Sequence, residues 1–215
     1  MTVLAASSLT GAFGEIATAF EAEHDGVAVE LSFDGSARLA TAIVGGAPAD
    51  VLASADEVNM SRVVEADLVD GVPVVFATNR LQIVVAGGNP RAVESLADLA
   101  EARLSLCHVA VPCGAYAAAA FERAGVEQPR AGDQENVKGV LTQVQLGEAD
   151  AGLVYVTDVL VADDVEGIDL APGQDVEAAY TAVPIGGGAD AAAFVAFLST
   201  DAAQAILDRF GFGLP

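Results

Sequence analysis

The sequence predicts an α/β fold whose strands form largely parallel sheets. Short apolar runs of strand length alternate with longer segments whose apolar residues recur at helical spacing, a pattern typical of helices layered on a parallel sheet. Hydrophobic residues make up 53% of the 215 residues, which is ample material for a buried core. Charge, glycine or proline interrupts every apolar run before the ~20 residues that a transmembrane helix needs, so we expect a soluble protein.

The first strand leads into the first helix within the segment TVLAASSLTGAFGEIATAF, residues 2–20. Val3 and Leu4 end the strand, and Ser7 and Ser8 follow it. The apolar face of the helix then consists of Leu9, Phe13, Ile16 and Phe20. The serines therefore lie at a helix N-terminus, where unpartnered backbone N–H groups and the helix dipole favour an anion. A serine in this place can cap the helix or donate to a ligand, and this segment alone leaves both readings open.

A second junction of the same kind follows a predicted strand at residues 27–33. Asp34-Gly35 breaks that strand, and Ser36 is placed to start the next helix. The later predicted elements are a strand at 50–53, a helix capped by Asp56, strands at 72–77 and 81–86, a short helix at 95–100, a strand at 104–107, a helix at 115–124, a helix behind an acidic cap at 133–144, strands at 151–156 and 180–185, and closing helices at 190–198 and 201–210.

The chain is strongly acidic, with 31 acidic and 9 basic residues and a formal net charge of −22. Such a surface repels nucleic acid and anionic membranes, so we expect neither as a partner. It does not exclude a small anion, because surface charge is screened over about 8–10 Å while aimed amides act at about 3 Å. Lys138, the only lysine, is expected to be a solvated charge, and His24 and His108 to be surface or structural residues.

The two cysteines, Cys107 and Cys113, lie on a predicted strand and in the loop after it. A disulfide between them is possible in an oxidising compartment, but their spacing alone does not decide it. Without a nearby pair of histidines they make a poor zinc site. The sequence starts directly on the first strand, so we expect either a cytoplasmic protein or an exported one that is shown here without its signal segment.

Six segments, taken in order, carry a resemblance to a known family: AASSLT at 5–10, FDGSARLATAIVGGAPADVLASAD at 33–56, VPCGAYA at 111–117, ENVKGVL at 135–141, GEADAGLVYVTD at 147–158, and the terminal RFGFGLP. Together they resemble the periplasmic molybdate-binding proteins of ABC-type importers. The resemblance covers nearly the whole chain.

The resemblance implies a two-lobed fold of the type-II periplasmic-binding-protein class, in which each lobe is a mainly parallel sheet flanked by helices. Lobe 1 would comprise residues 1–78 and 184–215, and lobe 2 residues 79–183. Two crossover strands, near 77–80 and 180–184, would form the hinge. The family holds a tetrahedral oxyanion in the cleft between its lobes.

Carried over position by position, the resemblance implies a molybdate site of five residues. Ser8 and Ser36 would each offer a hydroxyl and an amide, Cys113 and Val137 a backbone N–H, and Tyr155 its phenol. The family often has alanine where this chain has Cys113, which fits a main-chain contact. The Asp34-Gly35 pair before Ser36 departs from serine-rich relatives. The resemblance implies no catalytic residue, no cofactor and no direct ligand to a metal cation.

The chemistry of the ligand agrees with these residue types. A molybdate dianion presents four acceptor oxygens and no proton, so a matching site needs donors only. Hydroxyls can rotate to donate, and amides at helix starts are fixed donors. Neutral donors also avoid a buried cation that lacks a partner when the site is empty. Selectivity against sulfate would then depend on the size of the site.

We therefore expect an extracytoplasmic solute-binding protein, periplasmic or extracellular and membrane-associated, that captures molybdate and also tungstate. It would act as a monomer, deliver the anion to an ABC permease in the membrane, and catalyse no reaction. Another tetrahedral oxyanion, such as sulfate or phosphate, is an alternative ligand. A remoter alternative is a serine hydrolase with Ser7 or Ser8 as nucleophile, although G-x-S-x-G is missing and only His24 or His108 could be the base. A ligand-sensing domain of a transcription regulator would need a basic helix-turn-helix, which the sequence lacks.

Overall fold

The structure, a computed structural model, describes every residue from Met1 to Pro215. The strands are β1 (Thr2–Ala6), β2 (Glu30–Asp34), β3 (Val51–Ser54), β4 (Val74–Asn79), β5 (Leu81–Ala86), β6 (Leu104–Ser105), β7 (Ala151–Tyr155), β8 (Val165–Asp169) and β9 (Ala178–Pro184). The helices are α1 (Thr10–Glu23), α2 (Ser36–Val44), α3 (Glu57–Glu65), α4 (Pro112–Ala124), α5 (Val137–Gln145), α6 (Val156–Leu160), α7 (Ala189–Phe197) and α8 (Asp201–Arg209). Short 3₁₀ segments cover Ser7–Leu9 and Leu96–Glu101. The predicted α/β class is confirmed.

The chain forms two compact units. The first combines Met1–Thr78 with Ala179–Pro215, and the second is Asn79–Ala178. The first unit resumes at residue 179, whereas the sequence suggested 184. The reason is that β9 belongs to the sheet of the first unit, where Thr181 to Pro184 pair with β3.

The sheet of the first unit has the strand order β2-β1-β3-β9-β4. The β1 strand runs parallel to both of its neighbours, with Ala6 opposite Asp34 and Ala5 opposite Ala53. The β9 strand is antiparallel to β3. Because the carboxyl ends of parallel strands share an edge, the segments that follow β1, β2 and β3 begin at the same edge of this sheet.

Two apolar layers cover this sheet. One contains buried residues of α2 and α3 packed on the strands: Leu4, Leu39, Ala40, Ile43, Leu52, Met60, Val63 and Val183. The other is aromatic, and in it Phe13 and Phe20 of α1 make edge contacts with Phe194 of α7. The apolar stripe of α1 predicted from the sequence is therefore the surface that α7 covers.

The sheet of the second unit has the strand order β6-β7-β5-β8. The β5 strand is antiparallel to both β7 and β8, and β6 is parallel to β7. The prediction of a mainly parallel sheet is therefore wrong for this unit, because a buried apolar run reports burial and not strand direction. The sequence analysis also missed β8, whose residues Val165 to Asp169 are half exposed at the sheet edge and lack a continuous apolar pattern.

The α5 helix lies unusually close to β7. A β-carbon on Gly152 of β7 would come within 2.5 Å of the Val140 side chain on α5 and 2.9 Å of the Ser105 carbonyl oxygen. Only glycine allows this approach, which sets the height of α5 over the sheet.

Two helix starts test the predicted caps. Asp56 caps α3, because its carboxylate accepts the Asn59 backbone N–H at 2.9 Å. The α5 helix is capped by Asn136, whose side chain accepts the Gly139 N–H at 3.1 Å, and not by the predicted Asp133. Asp133 instead pairs with Arg130. No single helix is long and apolar enough to cross a membrane, although α7 and α8, bent by 58° relative to each other, meet that test as a pair by length and composition alone.

Candidate functional site

Ser8 lies in the 3₁₀ segment that follows β1 and is 7% exposed. Its side chain does not cap a helix: α1 begins after Leu9, and no side chain caps either the 3₁₀ segment or α1. The Ser8 hydroxyl instead lies 2.7 Å from the phenolic oxygen of Tyr180 on β9, and either group can donate. When Tyr180 donates, the Ser8 proton is available for a ligand.

Ser36 is the first residue of α2, and Gly35 occupies the N-cap position. The Ser36 side chain therefore does not cap its helix. Its oxygen accepts the backbone N–H of Ala55 at 3.0 Å. With a lone pair engaged in this way, the hydroxyl is set up to donate its own proton.

The structure brings these two serines to one edge of a sheet. Ser8 follows β1 and Ser36 follows β2, and these strands are parallel neighbours. Ala55, which holds the Ser36 hydroxyl, follows β3 at the same edge. The sequence analysis missed the roles of Tyr180 and Ala55, because both contacts join residues far apart in the chain.

Carboxylates beside these serines have partners of their own. Asp34, two positions before Ser36, accepts the Gly35 N–H at 2.7 Å and pairs with Arg38 at 3.2 Å. The carboxylate of Asp34, where the chain departs from serine-rich relatives, is therefore engaged by Gly35 and Arg38. Burial raises the pKa of the Asp56 carboxyl, while hydrogen bonds from Asn59 and Ser54 act in the opposite direction.

In the second unit, Cys113 is the second residue of α4, after Pro112 at the first position. The amides at the start of a helix have no intrahelical acceptor, and proline suits the first place because it has no N–H. The structure joins Cys113 to Cys107 by a disulfide, which decides the question left open by the spacing. The loop between them is tight, since a β-carbon on Gly114 would overlap the carbonyls of His108 and Cys107.

Val137 and Tyr155 complete the donors predicted in this unit. Val137 is the first residue of α5 and is 2% exposed. Tyr155 ends β7, precedes α6 and is 1% exposed. Since β6 and β7 are parallel neighbours, the segment that leads from β6 to Cys113 and the residue Tyr155 both start from the same sheet edge.

A buried ion pair links the segments that carry Val137 and Tyr155. The Asp158 carboxylate is fully buried, accepts the Tyr155 backbone N–H at 3.2 Å and lies 2.8 Å from the ammonium of Lys138. Burial raises the pKa of Asp158, and the Lys138 charge counteracts this. The expectation that Lys138 is a solvated charge is therefore wrong: the 3.6-residue helical period turns its side chain toward α6, which the sequence analysis did not predict.

The histidines have local roles. His24 stacks on Phe20, with ring centroids 3.9 Å apart, and its Nδ1 contacts the Phe20 carbonyl. His108 accepts the Ala110 N–H through Nδ1. The partner of Ser8 is a tyrosine, so the geometry of Ser8 does not match a serine–histidine nucleophile. No group of three or more His, Cys, Asp or Glu side chains is arranged to hold a metal ion.

Comparison with known proteins agrees over the full length of the chain. A family model described as bacterial extracellular solute-binding protein matches residues 1–213. The molybdate-binding protein ModA of Mycobacterium tuberculosis is 39% identical over a 221-residue alignment that covers 100% of this chain and 85% of the relative. ModA of Escherichia coli is 33% identical, covering 99% and 88%. The periplasmic molybdate-binding protein of Azotobacter vinelandii superposes with a TM-score of 0.84 at 22% identity, covering 100% and 99%.

Proposed function

The chain belongs to the family of bacterial extracellular solute-binding proteins, and from this premise we propose that it captures molybdate, and also tungstate, for delivery to an ABC permease. Members of this family bind solutes and are not enzymes. The curated relatives named above carry molybdate in their names, and their alignments cover this whole chain. We propose Ser8, Ser36, Cys113, Val137 and Tyr155 as the residues that contact the anion.

The observation that carries this proposal is the state of the Ser36 hydroxyl. Its oxygen already accepts the Ala55 N–H, and Gly35 rather than Ser36 occupies the N-cap position of the helix. The Ser36 hydroxyl therefore has a proton to donate and does not cap its helix. Ser8, at the same sheet edge, is likewise free of capping and lies beside Tyr180. Two such hydroxyls suit a ligand that only accepts hydrogen bonds, as a fully ionised oxyanion does.

The second unit supports the same chemistry. The amides of Cys113 and Val137 stand in the first turn of helices of 13 and 9 residues, where orphan N–H groups and the helix dipole favour negative charge. Tyr155 adds a phenol at the end of β7. We propose that these three donors and the two serines contact one anion, with residues near 77–80 and 180–184 acting as the hinge.

The family supports a location and a set of partners. We propose that the protein works as a monomer outside the cytoplasm, in the periplasm or on the outer face of the membrane. Its partners are the oxyanion and the membrane permease, and it needs no cofactor and binds no nucleic acid. Size-exclusion chromatography with light scattering tests whether the protein is a monomer.

The decisive experiment is a panel of oxyanions in thermal-shift and titration calorimetry. We expect molybdate and tungstate to raise the melting temperature and bind with one site per chain, and sulfate, phosphate and chromate to bind at least about tenfold more weakly. If sulfate or phosphate binds more tightly than molybdate, the protein is still an oxyanion-binding protein, but its ligand is a different anion. No shift with any of the five would overturn the proposal.

A further inference from the structure

The strongest unassigned feature is the ion pair between Lys138 and Asp158. Its lysine side chain is partly exposed, and its carboxylate is fully buried. The lysine side chain is 35% exposed and the carboxylate 0% exposed, and their charged atoms lie 2.8 Å apart. This pair uses the only lysine of a chain with a net charge of −22. A buried carboxylate without a cation costs several kcal/mol, so the pairing is needed wherever Asp158 is ionised.

Each member of the pair is attached to a proposed anion donor. Lys138 directly follows Val137 in the first turn of α5. Asp158 accepts the backbone N–H of Tyr155 at 3.2 Å, the hydrogen bond that starts α6. The bridge therefore ties the start of α5 to the end of β7, and so ties the Val137 amide to the Tyr155 residue within one unit.

We infer that Lys138 is a charge-balancing residue for oxyanion binding: its ammonium neutralises the buried Asp158 carboxylate, which would otherwise present an unpaired negative charge to a bound dianion. This inference rests on the function proposed above. The carboxylate accepts the backbone N–H of Tyr155, whose phenol is proposed to contact the anion, and it is fully buried, where salt screens a charge only weakly. An unpaired charge at Asp158 would repel a doubly negative ligand.

The test separates charge from packing by titrating molybdate into matched variants. We expect Lys138→Met to weaken binding at least about tenfold, because it leaves the carboxylate unpaired. Lys138→Arg and the neutral pair Lys138→Met/Asp158→Asn should stay within about threefold of the natural protein, since both restore local neutrality. Arg130→Met is the matched control, because it removes one cation from an exposed pair with Asp133 in the same unit. It should change affinity less than about twofold. A double variant as weak as Lys138→Met would overturn the inference.

Because Lys138 is the only lysine, acetylation of the folded protein tests the same charge without a folding step. Acetylation should reproduce the loss of affinity, while reductive methylation, which keeps the charge, should not. In Lys138→Arg only the N-terminal amine can react, so acetylation there should leave affinity unchanged. If the unmodified protein binds no oxyanion, the proposed function fails; if it binds and acetylation has no effect, only this inference fails.

Discussion

The hydroxyl of Ser8 lies 2.7 Å from the phenolic oxygen of Tyr180, although 172 positions separate the two residues. Both groups are buried, and Tyr180 is completely inaccessible to solvent. Strand β9 therefore directly contacts the segment that follows β1. Tyr180 also packs edge-on against Phe76 and Phe212, which hold its ring in place.

This contact predicts a coupled pair. Tyr180→Phe should weaken molybdate binding by about 1 kcal/mol, because Ser8 loses the partner that orients its proton. Ser8→Ala should weaken it more, by about 1–3 kcal/mol, and the double variant should be no weaker than Ser8→Ala alone. Calorimetry on the three variants provides the double-mutant cycle for Ser8 and Tyr180. Additive losses would show that Tyr180 acts independently of Ser8.

Ser36→Ala should weaken molybdate binding by about 1–3 kcal/mol, since a buried anion oxygen loses its donor. It should also lower the free energy of unfolding by about 1–2 kcal/mol, because the Ala55 N–H loses its acceptor. Calorimetry and urea unfolding measure the two effects separately. Ser61→Ala, at an exposed position of α3 in the same unit, is the control and should change neither. Unchanged affinity in Ser36→Ala would remove this residue from the site.

Tyr155→Phe should weaken molybdate binding by about 1–3 kcal/mol through loss of the phenolic donor. The ring is retained, so the packing of this 1% exposed side chain at the end of β7 should be preserved. The same titration series reads the affinity, and circular dichroism checks the fold. Equal affinity of Tyr155→Phe and the natural protein would contradict a phenol contact.

The disulfide should matter for stability and not for ligand contact. Replacing both Cys107 and Cys113 by alanine should lower the free energy of unfolding by about 2 kcal/mol, the chain-entropy expectation for so short a loop. Molybdate affinity should stay within about threefold, because the proposed contact at Cys113 is a backbone N–H. Denaturant unfolding with and without reductant tests the first part, and reductant should not affect the double variant. A large loss of affinity would point to a side-chain or loop-geometry role.

Asp150 predicts a pH effect on stability. Hydrogen bonds from Arg103, with the charges of Arg103 and Arg91, lower the pKa of Asp150 to about 2. A folded-state pKa below the unfolded value means that the pair stabilises the fold above about pH 4, and that this contribution is lost as the pH falls from 4 toward 2. Asp150→Asn should therefore cost about 1–2 kcal/mol at pH 7 and almost nothing near pH 2. Urea unfolding across this range checks the sign, and a cost that grows on acidification would refute it.

The candidate site shows how far local sequence information reaches. The serine junctions, a helix shortly after Cys113, a helix that contains Val137 and the apolar strand ending near Tyr155 were predicted, because turn and periodicity signals are local. The starts of those two helices were placed several residues away from Pro112 and Val137, where the structure has them. These local signals did not decide whether each serine caps its helix or binds a ligand. Whether Ser36 caps its helix or binds a ligand depends on Gly35 taking the N-cap place and on the Ala55 N–H, which approaches from another strand.

The sequence by itself determined the α/β class, the order of most elements and the solute-binding family, because apolar periodicity and motif order are properties of the chain alone. Only the tertiary structure decided the direction of the β5 pairings, the Cys107 to Cys113 disulfide, and the partners of Ser8 and Lys138. These features depend on residues distant in sequence meeting in space. Burial and pairing energies set them, and no local pattern encodes which partner each residue meets.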